Sequence, residues 1–213
     1  MVDHDTCHMA FCLDSARRRL LWGDHFLGDQ VQDEWRSTGD AGGSAVVVDG
    51  ETGGICRITT DGDTNDAYRI DWNDIRSLHM DQRVCLECRV KAGTTDSLIY
   101  LALWKDGNER IMFWKSNVDT NWQIFTQNGG ATTDEDSGVA VDTSYHIFRI
   151  MCHTHGSNHI HFYIDGTETS NSPVSSNLPD DAGDELEPYL WIRTAENATK
   201  SMDIDYVVVS QDR

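Results

Sequence analysis

The chain has only 3 prolines in 213 residues and no Ser-, Gly- or Pro-rich run. Nothing marks a linker, and the length suits a single domain able to bury a full core. Lysine is almost as scarce: 4 lysines and 13 arginines stand against 36 acids, 27 of them aspartate, for a formal net charge of −19. So few cations argue against nucleic acid and anionic membrane as partners, because both are bound by neutralising phosphate with Lys and Arg. Such a surface also repels itself in dilute salt. An Asp-rich, Lys-poor skin is expected of a protein working in concentrated salt, with an acidic protein of ordinary salinity as the plainer alternative. No hydrophobic run is long enough to span a bilayer, and "ARRRLLW" (16–22) lacks the apolar stretch of a signal peptide, so neither membrane insertion nor a leader is expected. The six cysteines (7, 12, 56, 85, 88 and 152) follow no framework and are expected as reduced thiols.

Helical periodicity is also missing after residue 22. Short alternating runs take its place, punctuated by Asp49-Gly50, Asp61-Gly62, Asp106-Gly107, Asn128-Gly129 and Asp165-Gly166, pairs that tolerate the positive φ of tight hairpins. Period-two reading puts Tyr68, Ile70 and Trp72 on one face, and Val84, Leu86, Cys88 and Val90 on another, with Cys85, Glu87 and Arg89 opposite. "SMDIDYVVVS" sets Met202, Ile204, Tyr206 and Val208 inward and Asp203 and Asp205 outward. "SLIYLALWKDGNERIMFWK" (97–115) is apolar on both faces and predicts a central hairpin covered on both sides. The whole predicts an all-β fold, an antiparallel jelly-roll β-sandwich over 23–213, preceded by a short N-terminal arm, 1–22. The arm carries the one basic cluster, Arg17, Arg18 and Arg19, and a short helix is expected over Ser15–Leu21.

Four of the nine histidines fall in "CHTHGSNHIHFYIDG" (152–166). Closing this hairpin around Gly156-Ser157-Asn158 pairs His155 with His159 and His153 with His161. All four then leave the non-core side of two adjacent strands, where neighbouring Cβ atoms lie about 4.5–5.5 Å apart, close enough for two of them to share a divalent cation. The competing reading, a solvated or subunit-facing strand, has in its favour that no acid lies among the four to orient a ligand.

Other patterns weigh less. Cys85 and Cys88 form a CxxC, but three residues apart on a strand they point to opposite faces, one buried and one not. Asp3, His4, Cys7, His8 and Cys12 could gather around zinc but match no standard finger. Asp61, Asp63 and Asn65 begin like a calcium loop that lacks its sixth-position glycine and twelfth-position acid. Asp203 and Asp205 would stand about 7 Å apart on one strand face, within the range of a glycosidase pair, but no third acid follows on that strand. Trp104, Trp114, Trp122 and Trp191 are numerous enough for a sugar-stacking platform, although packing between sheets accounts for most of them.

"WGDHFLGDQVQDEW" (22–35), "FRI…IHFYIDG" (148–166) and "LEPYLWIRTAENATKSMDIDYVVVSQDR" (186–213) together resemble the opening strand, back-sheet hairpin and closing strands of concanavalin A-like lectin/glucanase (laminin G-like) domains. The resemblance implies the jelly roll and does not extend to an active site, since the Glu-x-Asp-x-x-Glu strand of the family's glucanases is missing. Such domains recur in virion proteins of tailed viruses. The expectation is therefore a non-enzymatic virion structural protein, a capsid decoration, turret or tail-fibre module from a virus of halophilic hosts. It would be assembled in the host cytoplasm, displayed on the virion surface and docked through Arg17, Arg18 and Arg19 onto carboxylates of other virion subunits, as a homo-oligomer whose self-repulsion is screened by salt or bound cations. A carbohydrate-binding module for host surface glycan and a laminarinase-like glycoside hydrolase are the two rivals.

Overall fold

The computed structural model describes residues 18–28, 30–48, 54–153, 158–181 and 183–212, with side chains from Trp22 onward. Arg17, the Asp3–Cys12 run and His155 lie outside the described residues. Two antiparallel eight-stranded sheets face each other. The first contains β1 (Arg18–Asp24), β3 (Ser44–Val48), β4 (Ile55–Thr59), β7 (Cys85–Ala92), β12 (Tyr145–His153), β13 (His159–Ile164), β14 (Thr167–Glu168) and β16 (Ser201–Asp212). The second contains β2 (Arg36–Gly39), β5 (Ala67–Asp71), β6 (Leu78–His79), β8 (Leu98–Trp104), β9 (Arg110–Lys115), β10 (Asn121–Asn128), β11 (Ala131–Ala140) and β15 (Glu185–Arg193). The order in the first is β14-β13-β12-β7-β16-β4-β3, and in the second β11-β10-β9-β8-β15-β5-β2. This is the jelly-roll sandwich expected from the alternation.

Turn chemistry sets two of the hairpins. Gly129 and Gly130 between β10 and β11 have φ of 56° and 91°, and Asp165 and Gly166 between β13 and β14 have 52° and 76°. Positive φ at both central residues gives a twist matching that of the flanking strands. The sheets meet through rings: Phe113 packs edge-on against Phe148 and Phe162, each at 5.2 Å, and Trp122 against Phe148 at 4.6 Å. Fully burying such a side chain contributes about 1.5–3 kcal/mol, so this seam is a principal source of cohesion.

Several expectations need correction. The segment Ser15–Leu21 is not helical where it is described: Arg18 onward is strand β1, hydrogen-bonded to β16 from Arg18↔Asp212 to Asp24↔Val207. The cause is non-local, since β4 covers β16 only from Ser201 to Ile204 and leaves the rest of that flank for β1. Residues 18–22, assigned to the arm, thus run within the sheet. In β16 the register shifts between Ile204 and Tyr206, so the inward residues become Met202, Ile204, Val207 and Val209, and Tyr206 turns outward. A bulge inserts one residue and reverses parity beyond it. Cys85, opposite the core face of β7, is as buried as Cys88.

Candidate functional site

Among the described residues nothing covers the outer side of the β8–β9 hairpin. Its inner residues Ile99, Leu101, Leu103, Ile111 and Phe113 enter the core, while its outer face carries a separate apolar cluster. Strand registers order that face into rows. One row runs Arg69–Trp191–Tyr100–Trp114–Gln123, the next Asp71–Tyr189–Ala102–Met112–Phe125, and the third Glu187–Trp104–Arg110–Gln127. Ala102, Met112, Phe125 and Tyr189 form a buried floor, on which Tyr100, Trp104, Trp114 and Trp191 stand half-buried. Tyr100 lies 4.5 Å from Trp191, and Trp104 stacks on Tyr189 at 4.6 Å. The Trp114 Nε1–H donates to Asp134 Oδ1 at 2.9 Å. The Asp134 carboxyl is raised above its usual range, chiefly by burial. The arrangement is a rigid bed of π faces with polar atoms at its margins, suited to the C–H faces and hydroxyls of a sugar.

Of the tryptophans singled out in the sequence, Trp104, Trp114 and Trp191 therefore lie on this outer face, and Trp122 alone of the four packs between the sheets. The sequence reading missed Tyr100, Tyr189 and Arg110. Their signal was present, because a hairpin apolar on both faces with no second layer to cover it must expose one of them.

Charge is arranged around this bed with few loose ends. Arg36 holds Asp71 through two bonds, at 2.8 and 2.9 Å, and Arg69 reaches the same carboxylate at 2.7 Å. Glu187, beside them, is 2% exposed; its Oε2 accepts the Asp74 backbone N–H at 3.2 Å, and Arg76 Nε is 4.0 Å from Oε1. Burial, then the negative charges of Asp71 and Asp74, push the Glu187 carboxyl up to about 7. A raised carboxyl beside a second carboxylate invites an acid/base reading, but Asp71 is 1% exposed and pinned by two guanidinium groups. The outward positions of β8, β9 and β10, where a chain lying across the rings would meet the sheet, carry no carboxylate. Two carboxylates flanking a bound glycosidic bond are thus not on view there.

The other candidates fall elsewhere. Asp203 takes Arg57 at 2.6 Å and Lys91 at 3.3 Å, and Asp205 takes Arg89, so the suspected acid pair is a set of ion pairs on the first sheet. Asp61 and Asp63 belong to a turn in which Gly62 N donates to Asp61 Oδ1 and Asp63 N to Asp66 Oδ2. Among the described residues Cys56, Cys85, Cys88 and Cys152 are all buried. An open depression of about 710 Å³ is lined by Asn128, Asn158, Ser175, Asn177, Leu178 and Asp180, with no aromatic ring among them; the chemistry favours the aromatic face.

The histidine hairpin pairs His153 with His159 and Met151 with His161, two residues away from the expected register. A slip of two leaves every side chain on its original face, so the hydrophobic pattern could not distinguish the two registers. His153, His159 and His161 do share the non-core side, with ring centres 4.9–5.3 Å apart. Contrary to expectation an acid joins them: His161 Nδ1 lies 2.5 Å from Glu168 Oε1. Among the described residues no group of three or more His, Cys, Asp or Glu side chains is arranged to hold a metal ion.

Neither a family model nor a curated protein sequence matches the chain. Solved structures do. A β-1,3-glucanase from Mycobacterium marinum is similar at a TM-score of 0.65 and 16% identity, covering 88% of this chain and 97% of its own. The carbohydrate recognition domain of Emp46p, in metal-free form, matches at 0.59 and 8% identity, covering 87% and 94%. A carbohydrate esterase from Shiga toxin-encoding bacteriophage phi24B matches at 0.57 and 16%, covering 90% and 100%. At these identities the likeness establishes the concanavalin A-like jelly roll as the fold.

Proposed function

We propose that this concanavalin A-like sandwich is a saccharide-binding domain that works without catalysis, its ligand lying across the outer face of the second sheet. The observation that carries the reading is the half-exposed set Tyr100, Trp104, Trp114 and Trp191 on its buried floor. A monomeric surface rarely maintains so many adjacent rings without a use for them. The similar structures, a glucanase, a carbohydrate recognition domain and a carbohydrate esterase, support a saccharide as ligand. Against hydrolysis stand the carboxylate-free centre of the face and the inaccessibility of Glu187 and Asp71.

The context we propose is a virion surface, with the domain facing outward for host attachment and Arg17–Arg19 docking it to acidic neighbours. Support comes from the acidic composition and from the phage-encoded esterase of like fold. Glycan-array binding by the whole chain, abolished by Trp191→Ala, tests the ligand; release of reducing ends from a β-1,3-glucan would show the non-catalytic reading to be wrong. Docking is tested by exchanging Arg17, Arg18 and Arg19 together for Gln rather than by deleting 1–22, which would remove a strand of the sheet. Undiminished incorporation into particles would refute it.

A further inference from the structure

Among the described side chains, arginine is mostly paired with a carboxylate. On the first sheet Arg57, Arg83, Arg89 and Arg149 take Asp203, Asp212, Asp205 and Glu87. On the second, Arg36 and Arg69 share Asp71 and Arg76 takes Asp74. Among the described side chains two arginines have no carboxylate partner, Arg110 and Arg193, and both stand on the aromatic face. The Arg110 guanidinium lies 4.9 Å from the Trp104 ring centre and 5.1 Å from that of Phe125, and Arg193 lies 5.5 Å from that of Trp191.

Scarcity of acids cannot explain this, since the chain has 36 of them. Nearby carboxylates turn elsewhere: Glu109 lies 3.9 Å from Lys105, and Glu196 is 2.5 Å from Lys200. The Nε atoms of both arginines are buried and have no hydrogen-bond partner, and so is Oε1 of Gln127, whose strand register places it opposite Arg110. Gln127 is 7% exposed. Buried charged groups in a protein are nearly always paired, so two half-buried guanidinium groups that take no carboxylate on this face point to anions that a ligand supplies. Burial lowers the Arg110 pKa more than the charge of Asp106, which forms no ion pair with it, raises it.

Resting on the saccharide-binding reading, we infer that Arg110 and Arg193 are anion subsites and that the ligand is an acidic polysaccharide, carrying carboxylate or sulfate groups. A guanidinium held beside a ring keeps N–H donors in the fork geometry that planar oxyanions fit. Arg110 is level with Glu187 on β15, six residues from Arg193, so the subsites are about 20 Å apart along the strands. That spacing fits an extended chain with repeated charges and not a single sugar. The net charge of −19 opposes any polyanion, but its reach is cut to about 10 Å at 0.1 M salt, whereas direct contact with a partly buried guanidinium is screened far less. Binding should therefore appear once moderate salt quiets the overall field.

The test uses the whole chain in about 0.15 M salt, titrated with a polyuronate, a sulfated glucan and a neutral β-glucan of matched length. At least one acidic chain should bind about tenfold or more tightly than the neutral one, and the two acidic arms separate carboxylate from sulfate. Arg110→Gln and Arg193→Gln should each remove most of that preference, lowering acidic-chain affinity far more than neutral-glucan affinity, while Arg110→Lys should retain part of it; unchanged melting temperatures exclude misfolding. Equal binding of acidic and neutral chains, indifferent to the arginines but lost in Trp191→Ala, overturns the anion subsites and leaves saccharide binding standing. No binding to any of the three overturns both.

Discussion

Trp104 and Tyr189 lie face to face on neighbouring strands, ring centres 4.6 Å apart and planes 15° from parallel. In register Trp104 is opposite Glu187 and Tyr189 opposite Ala102, so the stack is a diagonal contact of the kind long aromatic side chains reach. Tyr189 is 9% exposed because Trp104 shields it. One ring is floor and the other is contact surface.

Their difference makes a first prediction. Trp104→Ala should weaken saccharide binding roughly fivefold, since a well-placed ring contact contributes on the order of 1 kcal/mol, at a modest cost in stability. Trp122→Ala, in the core against Phe148, should cost about 3–5 kcal/mol of folding free energy. Affinity electrophoresis alongside urea denaturation separates the two; equal loss of binding in both variants would mean that the outer rings serve only the fold.

Glu187 supplies the second. Its carboxyl, raised to about 7 in the folded chain from 4.5, binds a proton between those values that the unfolded chain has released. Stability is therefore fullest below pH 4.5 as far as this group is concerned, and is lost as pH rises through 7. Glu187→Gln should remove that loss and stabilise the protein at pH 8 by about 1–3 kcal/mol relative to the wild type. Thermal unfolding from pH 4.5 to 8 reads it, and parallel pH profiles for the two proteins would rule it out.

Much of this arrangement was legible in the sequence. Val84, Leu86, Cys88 and Val90 enter the core as alternation predicts, and Asp165-Gly166 makes its tight turn. Long-range pairing was not legible: β1 is a strand because half of β16 lacks a partner, and the parity of Tyr206 depends on a bulge that no residue announces. The site was half legible. Trp104, Trp114 and Trp191 were suspected, but assigning them outside rather than inside requires knowing that no layer covers β8 and β9.

The outer side of the first sheet yields a third prediction. Glu87, 1% exposed, accepts from Arg149 Nε at 2.6 Å and from the Tyr206 hydroxyl at 3.0 Å. Removing one member of a buried pair leaves an uncompensated charge, so Arg149→Met should cost about 3–5 kcal/mol. The double variant Glu87→Gln/Arg149→Met should recover a large part of that. A double-mutant cycle by urea denaturation measures the coupling, and additive losses would show that the pair does not act as a unit.

Lys115 gives the last. In "IMFWK" it shares the inward face with Ile111 and Phe113, and it is fully buried, its ammonium donating to the carbonyls of Thr95 at 2.9 Å, Ser116 at 3.3 Å and Ser97. Burial lowers its pKa to about 8 from 10.5, more than the distant charges of Asp96 and Asp119 raise it. Between those values the unfolded chain holds the proton and the folded chain has released it, so this group makes stability rise with pH from about 8 to 10.5, by up to about 3 kcal/mol. Buried Cys88 and Tyr206 act in the opposite sense at high pH, because burial raises both groups and only the unfolded chain ionises readily. The contribution must therefore be read as the difference between the wild type and Lys115→Met, measured by chemical denaturation at pH 7 and at pH 10. The variant should compare most favourably at pH 7, where it is relieved of a buried charge, and least favourably at pH 10, where only the lost hydrogen bonds to three carbonyls remain. A difference that stays constant between the two pH values would mean that Lys115 titrates as it does in water.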